Sequence, residues 1–113
     1  MVLNYGHTIG HAIERVAKLS HGESVSIGMA AAARLSSAIL GFSQVERHLA
    51  LLQRLALPTT CLADLDETLR LLSKDKKRDG SGIRMVLLRD IGEPVLVHVG
   101  EAALSSALSD TLR

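Results

Sequence analysis

Aromatic side chains are nearly missing from this chain, which has one Tyr, one Phe and no Trp among 113 residues. Hydrophobic residues still make up 47% and charged ones 22%, so the composition is globular and the core must be built from Leu, Ala, Val and Ile. Such a core is most simply made of packed helices. The single cysteine, Cys61, excludes an intrachain disulfide and reads as a small hydrophobe. An excess of one charge is lacking too. Thirteen Lys and Arg against twelve Asp and Glu leave a net charge of +1, which gives no field to gather nucleic acid or anionic lipid. No apolar run approaches the roughly 20 residues that cross a bilayer; residues 24–40 come closest but carry Arg34 and four serines. Met1 is not followed by a charged and then an apolar segment, so no secretion signal and a cytoplasmic location are expected. The length suits one domain and is too short for a core domain plus a dinucleotide-binding domain.

Periodicity predicts a mainly α, multi-helix domain with a small β-hairpin near the C-terminus. Ile9, Ala12, Ile13, Val16 and Ala17 recur at helical steps over residues 8–17. A second, alanine-rich helix covers residues 22–40, its small side chains implying close packing on several sides, with Gly41 at its C-terminus. Ser43 and Glu46 form a capping-box pattern for a third helix, whose apolar face would be Val45, Leu49, Leu52, Leu55 and Ala56 before Pro58 ends it. Asp64 or Asp66 can cap a fourth helix through Leu72. After a charged, glycine-punctuated loop, residues 84–88 and 95–99 are β-prone runs that read as a hairpin, with Pro94 at its edge or entry. Helical spacing returns over residues 101–112. No repeat or internal linker interrupts the chain.

The chemistry is concentrated near the start. His7 and His11 stand four residues apart, which on a helix places both imidazoles on one face and makes them a candidate metal pair. Gly6 and Gly10 bracket that helix start, where glycine costs roughly 1 kcal/mol relative to alanine; either a ligand or a second helix must come close to the backbone. His21 follows at the entrance of the second helix, so a helical hairpin can return a third imidazole to the same end. Glu14 lies on the same stripe as His7 and His11, as a fourth ligand or as a carboxylate orienting a liganding histidine. Glu23 reads as a first-turn residue favoured by the helix dipole. His48 and His98 read as surface or edge residues.

The stretch from Asn4 through Gly6, His7, Gly10 and His11 to Glu14, followed by His21-Gly22-Glu23-Ser24 and on to Met29, resembles the paired signature of 3-dehydroquinate synthases, of the sugar phosphate cyclase family. Asp75-Lys76-Lys77, then residues 83–88 and Ile91-Gly92, resemble that family's downstream pattern in the same order, so the likeness covers nearly the whole chain. It implies a dehydroquinate synthase-like α-domain spanning residues 1–113, the C-terminal metal- and substrate-binding part of the enzyme. His7 and His21 would then be ligands of a catalytic Zn²⁺ (or Co²⁺), and His11 a catalytic residue beside the metal, touching substrate. Asn4 and the pair Lys76 and Lys77 would bind substrate, either lysine being the one that points inward.

The implied reaction converts a seven-carbon phosphorylated keto sugar acid to 3-dehydroquinate with loss of phosphate, a lyase step of the shikimate route to aromatic amino acids. The NAD⁺ it uses would be held mainly by an N-terminal domain that this chain does not contain; no residue here is assigned to the cofactor. Alone, the chain is expected to be inactive. Its expected partners are the missing domain, in cis or in trans, the sugar acid, and a second copy in the full enzyme's homodimer, with neither nucleic acid nor membrane. Two alternatives stand beside this reading: a sibling cyclase making an aminocyclitol precursor, and a truncated, non-catalytic helical module. One local departure bears on the metal. The stretch between His11 and His21 is shorter than the family pattern, with Val16-Ala17-Lys18 where a glycine-containing turn is common, which could move His21 relative to His7.

Overall fold

The computed structural model describes residues 5–74, 82–90 and 92–112. Its elements run α1 (His7–Ala17), α2 (His21–Leu40), α3 (Val45–Arg54), α4 (Leu65–Ser73), β1 (Ile83–Asp90), β2 (Glu93–Val99) and α5 (Glu101–Ser109). The expected mainly α domain with a C-terminal hairpin is what forms.

The fold is organised around α2, which touches α1, α3, α5 and β1. A helix approached from so many directions cannot keep one apolar stripe, and its four consecutive alanines, Ala30 to Ala33, are all at most 2% exposed. Larger side chains from its neighbours fill the core against them: Ile9 and Ile13 from α1, Leu72 from α4, Met85 and Leu87 from β1, and Leu104 and Leu108 from α5. Two of the serine hydroxyls on α2 hold neighbouring segments, while that of Ser24 is buried without a hydrogen-bond partner among the described residues. Ser36 donates to the Ala32 carbonyl at 2.7 Å and accepts from the Leu88 amide at 2.9 Å, fastening β1 to the helix, and Ser26 donates to the Pro58 carbonyl at 2.6 Å.

The strands pair antiparallel with Ile83 opposite Val99, Met85 opposite Val97 and Leu87 opposite Val95. The pleat turns Ile83, Met85 and Leu87 inward and leaves Arg84 exposed. Pro94 lies opposite Leu88, just before an irregularity in the register.

Three local expectations are corrected. The Ser43–Glu46 capping box does not form: α3 begins at Val45 after Gln44, with no side-chain cap. Phe42 is 1% exposed and its amide closes back onto the Ser36 carbonyl at 3.1 Å, so its burial directs the chain through a turn at residues 43–44 before the helix can start. The apolar face anticipated for α3 forms only in part, with Leu52 buried, Val45 and Leu49 half-buried, and Leu55 and Ala56 exposed. Leu55 is 61% exposed, because the helix stops at Arg54 and leaves Leu55 and Ala56 in the following turn, Ala56 with φ 60°. Finally, the last helix ends at Ser109 rather than reaching Leu112. Leu112 is 6% exposed and bridges Cys61, whose amide donates to the Thr111 carbonyl at 3.2 Å. Asp64, of the two acidic residues proposed, is the cap of α4, accepting from the Glu67 amide at 3.0 Å.

Candidate metal centre

The histidines are positioned by a contact between α1 and α2 that is close to backbone on backbone. A β-carbon on Gly28 would lie 2.2 Å from the Gly6 carbonyl oxygen and 2.7 Å from the Gly10 nitrogen. One on Gly6 would meet the Met29 amide at 2.8 Å, and one on Gly10 the Ser24 carbonyl at 3.1 Å. Of the two reasons offered for Gly6 and Gly10, helix packing is the one the fold realises, and Gly28 is the third member of the set. Gly6 is required twice over, since its φ of 81° belongs to the left-handed region. Tyr5 adds a clamp that the sequence did not disclose. Its hydroxyl donates to the Met29 carbonyl at 3.2 Å, its ring meets His48 edge-on at 5.6 Å, and burial pushes the phenol above its ordinary pKa.

At the other end of the hairpin, Lys18 takes φ 57° and ψ 37° as the C-cap of α1. This is a conformation a glycine would adopt more cheaply than lysine. Ser20 then starts α2 with a complete capping box. Its hydroxyl accepts from the Glu23 amide at 3.1 Å while the Glu23 carboxylate accepts from the Ser20 amide at 3.3 Å, which makes Glu23 a reciprocal cap as well as a first-turn acid.

These two constraints bring the three imidazoles into one cluster. Ring centres are 5.8 Å apart for His7 and His11, 6.1 Å for His7 and His21, and 6.0 Å for His11 and His21. The short connection between the helices, residues 18–20, therefore leaves His21 beside the other two. His7 is half-buried and His11 and His21 are exposed, so the cluster opens outward from the helix pair. Glu14 does not join the histidines as a fourth donor to the same point; its carboxylate accepts from His21 Nδ1 at 2.9 Å.

Imidazoles bound through bonds of about 2 Å to one tetrahedral zinc hold their ring centres roughly 5 Å apart. The observed separations exceed that by about 1 Å, within reach of small χ rotations. The donor chemistry thus fits a divalent metal, but no group of three or more His, Cys, Asp or Glu among the described residues is arranged to hold one unaided. Of the other anticipated site residues, Asn4, Lys76 and Lys77 lie outside the described residues. His48 and His98 stand away from the cluster: His48 packs on Tyr5, where burial lowers its pKa, and His98 is exposed on β2 opposite Arg84. Among the described residues, no helix is long and apolar enough to cross a membrane.

Comparisons with known proteins agree with this architecture. A family model described as 3-dehydroquinate synthase C-terminal matches residues 1–78. Curated relatives named 3-dehydroquinate synthase include those of Halorhodospira halophila, 46% identical over 98% of this chain and 32% of the relative, and Pyrobaculum neutrophilum, 41% identical over 99% and 34%. This chain spans about a third of the length of these relatives. A crystal structure of 2-deoxy-scyllo-inosose synthase superposes with a TM-score of 0.77 at 29% identity, covering 96% of this chain and 31% of that one. A second structure of an enzyme of that name, complexed with carbaglucose-6-phosphate, NAD⁺ and Co²⁺, gives a TM-score of 0.77 at 28% identity, covering 96% of this chain and 34% of that one. The chain belongs to the 3-dehydroquinate synthase family, corresponding to its C-terminal part.

Proposed function

We propose that this chain is the metal- and substrate-facing helical half of a sugar phosphate cyclase that converts a seven-carbon phosphorylated keto sugar acid to 3-dehydroquinate with loss of phosphate. The observation that carries the reading is the convergence of His7, His11 and His21 on the open side of a glycine-packed helix pair. In this reading His7 and His21 hold Zn²⁺ or Co²⁺, and His11, one turn along α1 from His7, faces the substrate and moves a proton at the reacting sugar. The bound metal would supply Lewis acidity toward a substrate hydroxyl and carbonyl. Asn4 and one lysine of Lys76 and Lys77 would grip the substrate's polar and anionic groups, fixing the conformation from which the ring closes.

Two imidazoles fall short of the three protein ligands usual at catalytic zinc. A carboxylate and the nicotinamide site must then come from a cofactor-binding half, joined in cis or supplied in trans, and the 113 residues alone are expected to be inactive. The test is to combine this chain with the cofactor-binding half of a 3-dehydroquinate synthase and follow phosphate release with NAD⁺ and a divalent metal. Turnover of the seven-carbon acid supports the proposal. Preference for a hexose phosphate would instead assign the chain to the aminocyclitol-forming siblings, a reading favoured by the likeness to 2-deoxy-scyllo-inosose synthase. No turnover by a folded, metal-loaded complex would leave a non-catalytic helical module.

A further inference from the structure

The bond between Glu14 and His21 joins the last turn of α1 to the first residue of α2 across the Lys18 turn. A carboxylate offers hydrogen-bond acceptors only, so the proton in the 2.9 Å contact belongs to His21 Nδ1. A neutral imidazole protonated on Nδ1 has its lone pair on Nε2. We infer that Glu14 is a positioning residue: by holding the Nδ1 proton of His21 it fixes the ring's tautomer and orientation and presents Nε2 as the metal-binding atom. This role presupposes the proposed metal site.

The geometry separates it from two other uses of Glu14. As a metal ligand the carboxylate would need a free oxygen aimed at the histidines' common point, whereas its Oε1 is engaged on His21 Nδ1. As an ordinary surface ion pair it would contribute little, because the side chains are 37% exposed for Glu14 and 60% for His21. What an exposed pair can still do is select between two tautomers of similar energy, which takes far less than is needed to stabilise a fold. The backbone supports the arrangement, since the Glu14 carbonyl accepts from the Lys18 amide at 3.1 Å, tying the turn that returns His21 to the residue that receives it.

The test compares Glu14→Ala and Glu14→Gln in the full chain, with folding monitored by circular dichroism. In the metal-free protein, imidazole ¹⁵N chemical shifts report the His21 tautomer. The Nδ1-protonated form should dominate in the wild type, persist in Glu14→Gln, whose amide oxygen still accepts, and give way to the Nε2-protonated form in Glu14→Ala. With each variant joined to a cofactor-binding half, affinity for Co²⁺, read from its visible absorption during titration, should fall about tenfold in Glu14→Ala and less in Glu14→Gln. An unchanged tautomer, or a Co²⁺ affinity within about twofold of wild type in Glu14→Ala, overturns the inference. His7→Ala and His21→Ala separate this failure from that of the metal site. If they abolish Co²⁺ binding while Glu14→Ala does not, only the positioning role is lost; if they leave binding intact, the metal site falls with it.

Discussion

Two helices pack on opposite terms against the same central element. Helix α1 meets α2 through Gly6, Gly10 and Gly28, at distances where one added carbon would overlap backbone. Helix α3 also packs on α2, but Leu52 is its one buried residue, and Leu51 and, just past its end, Leu55 are 56% and 61% exposed. The first contact is rigid because main chain touches main chain and has no rotamers with which to adjust; the second rests on flexible side chains. Imidazoles that must converge on one ion require the first kind, since their positions inherit any slack between the helices that carry them. The histidine at the looser contact, His48, serves packing instead.

The contrast can be broken most severely at Gly28. Gly28→Ala should destabilise the chain by about 3 kcal/mol or more, because the clash at 2.2 Å is with a carbonyl oxygen and not with a movable side chain. Gly22→Ala, on the same helix with nothing within 4 Å of the new carbon, should gain about 0.5 kcal/mol. Urea denaturation of the two variants gives both values. On α3, Leu52→Ala should cost about 2–3 kcal/mol while its neighbour Leu51→Ala stays within about 0.5 kcal/mol. Equal losses at the two leucines would mean that α3 is buried more deeply than its exposures indicate.

Lys18 sharpens the comparison from the other direction. Its positive φ costs roughly 1 kcal/mol or more for a residue with a β-carbon, so Lys18→Gly should raise stability by about 0.5–1 kcal/mol in the same assay and leave the histidine cluster in place. The smallest effect concerns pH. Burial holds His48 below its ordinary pKa in the folded chain, whereas the unfolded chain takes up the proton near pH 6.5. Its contribution to stability is therefore complete above about pH 6.5 and is lost as the pH falls from there through the folded value. His48→Phe should show a smaller drop in melting temperature between pH 7.5 and pH 5.5 than the wild type does.

Much of this was legible in the residue pattern, for reasons that differ by region. Helix α2 could be bounded because Gly41 adopts the left-handed conformation (φ 72°) that its position at the helix end implied, and two β-prone runs announced the hairpin. The third helix misled because a capping pattern says only that a box can form. Burial of Phe42 decided where the chain turned, and an aromatic anchor of that kind depends on contacts made far along the sequence. The same limit applies at the site. The histidine spacing pointed first to His7 and His11 as a pair, and the resemblance brought in His21, but the partner of Glu14 and the role of Gly28 depend on how α1 and α2 lie against each other. That is a tertiary fact with no local signature.

The proposed site is defined by which imidazoles share the ion. Co²⁺ bound to the chain joined with a cofactor-binding half gives hyperfine-shifted resonances from the exchangeable N–H of each liganding imidazole. Two such resonances are predicted, one lost in His7→Ala, the other in His21→Ala, and both retained in His11→Ala. Loss of one in His11→Ala, with both surviving in His21→Ala, would place the metal on the adjacent pair of α1 and contradict the account.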